Sequence, residues 1–114
     1  MKIDSYTFGF ISIDGRGYSN DIIIYPDGTI NNRWWRKEGH RLGIEDLERL
    51  PHVKAEVVII GTGSNGLMKV PEETLQYLKT ICGQIVIETT SSAVRKFNFF
   101  SQSKKVAGLF HLTC

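Results

Sequence analysis

Gly61-Thr62-Gly63-Ser64-Asn65-Gly66 spells GxGxxG directly after the apolar run Glu56–Ile60, and Glu88 ends the next such run. In a dinucleotide site, glycines in this pattern let a pyrophosphate approach the amides of a helix N-terminus, while a later acidic residue holds the ribose. That chemistry needs the helix to open inside the glycine run. Here Leu67–Val70 intervene and Pro71 marks a later helix start. Nicotinamide and flavin dinucleotides are therefore not expected, and no cofactor is implied. The glycines are expected to turn the chain sharply at a strand end and to allow close backbone approach.

A second group is Thr89-Thr90-Ser91-Ser92 with Arg95 one turn later. Free amides, hydroxyls and a guanidinium at a helix start can hold an anion. The same hydroxyls can instead simply cap the helix. Both this segment and the glycine loop are expected at the carboxyl ends of neighbouring parallel strands, where open α/β sheets place their ligands. Gly61, Thr62, Gly63, Ser64, Thr89, Thr90, Ser91, Ser92 and Arg95 are thus the candidate ligand-binding residues, for a small anionic ligand. Glu88 is the one nearby candidate acid or base.

Trp34-Trp35-Arg36, with Arg33, Lys37, His40 and Arg41 around it, could stack bases and meet phosphates. If Trp34 and Trp35 lie in a strand, however, they face opposite sides, one in the core and one half-exposed. The formal net charge of +2 gives no bulk attraction to nucleic acid, so nucleic acid is not the expected partner. Trp34, Trp35, Arg36 and His40 remain candidates for an interaction surface. His40, His52 and His111 are too dispersed for a metal site, and His111 is expected to be a hydrogen-bonded structural residue. Ser64 lacks the GxSxG context of a hydrolase nucleophile. Cys82 and Cys114 are far apart with no CxxC, which suits a reducing, cytoplasmic setting. Cys82 is expected as a buried thiol.

The elements that must position these residues follow from hydrophobic patterning. The 114 residues suit one domain, 1–114. The apolar runs are strand-sized, and none approaches a membrane span. Tyr6–Ile13, Asp21–Tyr25 and Thr29–Trp35 are expected as strands of an antiparallel meander, with Pro26-Asp27-Gly28 as a tight turn. A short helix is expected around Ile44, Leu47 and Leu50, before Pro51. Glu56–Ile60, a helix over Pro71–Cys82, and Gln84–Glu88 form a βαβ unit with parallel strands. A second helix carries Ala93, Val94, Phe97 and Phe100 inward, and Val106–Leu112 is the last strand. The fold class is α/β (α+β): an antiparallel meander followed by a βαβαβ segment, in one mixed sheet.

Several segments together resemble a family of small proteins that includes the adipogenesis-associated domain protein and a mitochondrial respiratory complex I assembly factor. The segments are Tyr25-Pro-Asp-Gly28, Trp34-Trp-Arg36 with Gly39-His40, Ile60-Gly-Thr-Gly63, Thr89-Thr-Ser-Ser-Ala-Val-Arg95 running to Asn98, and Phe110-His-Leu-Thr-Cys114. The resemblance implies a three-layer α/β fold with a mixed central sheet. It transfers no catalytic residues. Its eukaryotic members look like assembly or regulatory factors, and the complex I factor carries a mitochondrial targeting segment. This chain starts at its first strand and ends in FHLTC, which resembles the cytoplasmic branch.

Two functions then compete, with a single-stranded nucleic-acid binder using Trp34, Trp35 and Arg36 as a third reading. One is a non-catalytic intracellular binding, assembly or regulatory module with a protein partner. The other is an enzyme or binder of a small anionic ligand in the strand-end crevice. An exposed apolar patch outside the crevice favours the first. A strongly perturbed Glu88 in a closed pocket favours the second.

Overall fold

The computed structural model describes all residues, Met1–Cys114. In chain order the strands are β1 (Ile3–Thr7), β2 (Phe10–Ile13), β3 (Arg16–Tyr18), β4 (Ile22–Ile24), β5 (Ile30–Asn31), β6 (Val57–Gly61), β7 (Gln84–Glu88) and β8 (Val106–Phe110). Helix α1 (Glu72–Ile81) joins β6 to β7, and α2 (Thr90–Phe100) joins β7 to β8. Two 3-10 turns, Ile44–Leu47 and Leu50–His52, precede β6.

β4, β6 and β8 bury every one of their residues, which is what continuous apolar runs do in a sheet covered on both faces. The sheet order is β5-β4-β8-β6-β7. β6 is parallel to both β7 and β8, whereas β4 is antiparallel to β8 and β5, so the sheet is mixed. Val57 pairs with Gln84 and Gly61 with Glu88, as the crossover through α1 requires.

Alternation along the strands sorts the apolar side chains into two cores. Ile22, Ile24, Val57 and Ile59 meet Ala93, Val94 and Phe97 of α2, together with Ile3, Ile11 and Ile13. Ile23, Val58 and Ile60 meet Leu78 of α1 and Leu42, Leu47 and Leu50. Three layers result, with the sheet in the middle. Phe97 and Phe110 pack edge to face at 5.8 Å inside the first core, so Phe97→Ala would cost about 3–5 kcal/mol. Asn98 ties α2 to the N-terminal sheet, accepting from the Ile3 amide and donating to the Ile3 carbonyl, both at 2.8 Å. No helix is long and apolar enough to cross a membrane.

The N-terminal third departs from the expected meander in one sheet. β1, β2 and β3 form their own antiparallel sheet, and only β4 and β5 join the central one. The break falls at Asp21, whose carboxylate accepts from the Leu112 amide at 2.7 Å and so anchors the chain beyond the end of β8. Tyr6–Ile13 is a hairpin rather than a single strand, turning at Gly9 with φ 77°. The strand expected over Thr29–Trp35 stops at Asn31, because the Trp34 amide is bound by the Asp21 carbonyl and its indole by the Asp46 carbonyl. The helix expected near Leu47 is two 3-10 turns, separated where Glu48 adopts φ 50°.

Candidate functional site

β6 and β7 end side by side, and their exits diverge. The chain after β6 leads to α1 on one face, and the chain after β7 leads to α2 on the other. The glycine loop and the Thr89–Arg95 segment therefore meet, but the space expected between them is occupied by the chain itself. The Thr62 amide and hydroxyl both donate to the Glu88 carbonyl, at 2.9 and 3.1 Å. The Gly63 amide donates to the Thr90 hydroxyl at 2.9 Å, and that hydroxyl donates to the His111 carbonyl at 2.6 Å. Ser64 and Leu67 amides donate to the Thr113 and Cys114 carbonyls at 2.6 and 3.1 Å. A Cβ added to Gly63 would lie 2.2 Å from the Cys114 carbonyl carbon, and one on Gly61 would lie 2.9 Å from the Thr90 hydroxyl. Thr90 is thus not a cap but a fully buried bridge between three segments.

The other members of that group lie outside the crevice. Thr89 and Ser91 are exposed. Ser92 donates to the Glu88 carboxylate, which also receives Lys96 Nζ at 2.6 Å. The anion at the start of α2 is therefore the protein's own Glu88. The Lys96 ammonium first, then Ser92, hold the Glu88 carboxyl below its usual pKa. A deprotonated, ion-paired carboxylate on an open surface is poorly matched to acid–base work near neutrality. Arg95 is exposed and lines an outer groove with β7 residues.

A buried ion-pair node closes the same end of the sheet. Arg36 Nη2 lies 2.9 Å from Asp21 Oδ2, and His111 Nδ1 lies 2.7 Å from the same oxygen. Arg36 also donates to the Gly39 carbonyl, and its guanidinium lies over the Trp34 ring at 4.7 Å. Burial pushes the Asp21 carboxyl up, but hydrogen bonds from His111, the Leu112 amide and Arg36 outweigh it and bring its pKa below the ordinary value. Arg36 Nη1 and His111 Nε2 are buried without a hydrogen-bond partner, yet neither residue lines a surface hollow. Of the four residues expected on a contact surface, Trp34 and Arg36 are instead inside this node, and only Trp35 and His40 are exposed. Two stacked indoles facing solvent are therefore not available. Cys82, expected as a buried thiol, is half-buried like Cys114, and its partial burial pushes the thiol pKa up.

On the opposite flank, β7 is the last strand of the sheet and has no partner on its outer side. Between it and α2 runs an open groove of about 580 Å³. Val86, Phe99 and Phe100 face into it, Ile85 and Ile87 line its open strand edge, and Arg95 and Lys96 supply a basic rim. Ile87 is 38% exposed and Phe99 67%. Phe99 stacks edge to face on Phe100 with ring centres 5.2 Å apart.

Residues 3–111 match the family model described as a protein of unknown function, DUF498/DUF598. The chain belongs to this family. Solved structures agree with the assignment. A conserved hypothetical protein of Pyrococcus horikoshii is 27% identical, with all of both chains covered and a TM-score of 0.85. A Bartonella henselae protein described as an outer membrane protein is 29% identical over 98% of this chain and 94% of that one, with a TM-score of 0.81. A Bordetella pertussis protein described as a Mth938-like domain shares the fold at 18% identity, covering 97% of this chain and 85% of that one, with a TM-score of 0.73.

Within this DUF498/DUF598 chain, sequence reasoning passed over Asp21, the β7 edge and Phe99. Asp21 carries no local motif, since its partners Arg36 and His111 are 15 and 90 positions away. Phe99 did leave a signal. With Ala93, Val94 and Phe97 facing the core, the helical repeat turns Arg95, Lys96 and Phe99 outward, and a phenylalanine there has no core to enter.

Proposed function

We propose that the protein is a non-catalytic binding or assembly module that docks a polypeptide along β7 and the outer face of α2. The observation that carries this reading is an unpaired, apolar edge strand beside an aromatic-lined groove, outside the strand-end crevice. An added strand would supply main-chain hydrogen bonds to β7, while the groove would take side chains from it. Phe99 offers a large apolar surface that folding leaves uncovered. The crevice supports an anionic-ligand or enzymatic reading less well, because its amides and hydroxyls are bound within the chain and Glu88 is neutralised by Lys96.

Site-directed photo-crosslinking in the protein's own cells tests the reading. A photoreactive residue would replace Phe99 or Arg95 in turn, with Arg33 and Lys54 as controls on other surfaces. A discrete protein adduct from the groove positions alone is expected, and it should disappear when Ile87→Lys is added. Equal labelling from all four positions, or none from the groove, would remove the reading.

A further inference from the structure

We infer that the occupant of the β7 edge is a second copy of this chain, the two β7 strands pairing antiparallel about a twofold axis through Val86. This rests on the docking reading above and names its partner.

The hydrogen-bond pattern sets the register. The Gln84 amide donates to the Glu56 carbonyl, and the Glu88 carbonyl accepts from the Thr62 amide. In a parallel ladder alternate residues bond to the same neighbour, so Gln84, Val86 and Glu88 face β6. Ile85 and Ile87 consequently direct their N–H and C=O groups outward. These two residues flank Val86 symmetrically. Antiparallel pairing about Val86 sets Ile85 opposite Ile87 of the second copy and Ile87 opposite its Ile85. Each such pair exchanges two hydrogen bonds, and Val86 meets Val86 as the non-hydrogen-bonded pair between them. Every outward main-chain group of the strand interior is then used.

The side chains agree with that register. Gln84-Ile85-Val86-Ile87-Glu88 reads the same in both directions apart from the amide and acid at its ends. Isoleucine meets isoleucine on one face, and the Gln84 amide meets the Glu88 carboxylate on the other. Exposed Lys104 lines the same hollow as Gln84, together with Glu56, whose carboxylate is engaged by the Lys105 amide, so the ammonium is the group there left to meet the incoming Glu88. The two Glu88 side chains sit at opposite ends of the seam and do not repel. A twofold axis normal to the sheet carries both α2 helices to one side, each with Phe99 alongside the seam.

The other sheet margins are blunted in ways proteins use against edge pairing. β5 is two residues long and ends in asparagine. β1 is irregular between Ile3 and Ser5 and carries Asp4, and β3, the other edge of that sheet, is three residues long and carries Arg16. β7 has neither bulge nor proline nor lysine.

Sedimentation equilibrium of the purified chain from micromolar to millimolar concentration is the first measurement. A species of twice the 12.9 kDa protomer mass is expected. Ile87→Lys should raise the dimer dissociation constant by about a hundredfold, the scale of a central interface residue. In a chain with Cys82→Ser and Cys114→Ser, Val86→Cys should oxidise to a covalent dimer under copper–phenanthroline, because only residue 86 faces itself. Directly opposed residues of this pair type lie about 4.5 Å apart at Cα, within disulfide reach. Ile87→Cys should not cross-link. Circular dichroism identifies a variant that has unfolded, and the cysteine pair then decides. A strictly monomeric wild type, a dimer indifferent to Ile87→Lys, or cross-linking at 87 and not at 86 would overturn the homodimer. A monomer that still forms Phe99 adducts with another protein would remove this inference and leave the docking reading. A monomer without such adducts would remove both.

Discussion

The strand-end crevice and the β7 edge lie on the same β-strand, and they treat polar groups in opposite ways. At the crevice, Gly63, Ser64, Leu67 and Thr90 hand their amides and hydroxyl to carbonyls and hydroxyls of the chain itself. At the edge, the outward groups of Ile85 and Ile87 have no partner within the fold. The glycine-rich loop looks like a ligand site because glycine permits close approach, but here the approaching group is the carboxyl-terminal segment. The edge looks like an ordinary buried strand, yet it is where binding capacity is left over. Folding has stabilised the first region at the expense of its availability, and the second keeps its availability because nothing covers it.

Substitutions should separate the two regions by their effect on stability. Gly63→Val should be the most damaging. It places a branched side chain at φ 108°, with its Cβ overlapping Cys114, and a loss of about 3–5 kcal/mol is expected in urea unfolding. A loss below about 1 kcal/mol would mean that the crevice is loose enough to admit a guest.

Asp21→Asn should cost about 2–4 kcal/mol near neutral pH, since it leaves Arg36 buried without its carboxylate. The pH dependence has a definite sign. The folded Asp21 pKa is depressed, so its contribution is fully present above the unfolded value, about 3.9. It is lost as pH falls through the lower folded value. The stability difference between wild type and Asp21→Asn should therefore shrink on acidification through that window. A gap that widens instead would show that Asp21 is not the ion-pair anchor.

Thr90→Val keeps the shape and removes the hydroxyl that joins the Gly63 amide to the His111 carbonyl. Leaving those two buried groups unpaired should cost about 1–3 kcal/mol. Ile87→Lys, at the edge, should change protomer stability by only about 0.5 kcal/mol. A large loss there would make Ile87 a core residue and blur the contrast.

Much of this contrast was legible in the sequence, but unevenly. The runs Glu56–Ile60 and Gln84–Glu88 and the helix between them specify parallel neighbours, and the register Val57 with Gln84 agrees. The meeting of the Gly61 and Thr89 segments follows from that topology. Whether they enclose space does not, because the answer depends on where the residues after Phe110 lie. Arg36 read as a surface residue because Arg33, Lys37 and Arg41 around it suggest an exposed segment, while Asp21 and His111, which meet it, come from just before β4 and just after β8. Ile85–Ile87 read as buried because an apolar run has the same pattern in a central strand as at an edge. Only the strand order distinguishes them.

Residue-resolved hydrogen exchange tests the central claim most directly. In dilute protein the Ile85 and Ile87 amides should exchange rapidly, and at millimolar concentration they should become protected. The Gly63, Ser64 and Thr90 amides should be strongly protected at every concentration and indifferent to added phosphate. Fast exchange at Gly63 and Ser64 with protection gained on adding phosphate, and Ile85 and Ile87 protected even in the dilute monomer, would place the open site in the crevice and contradict the account.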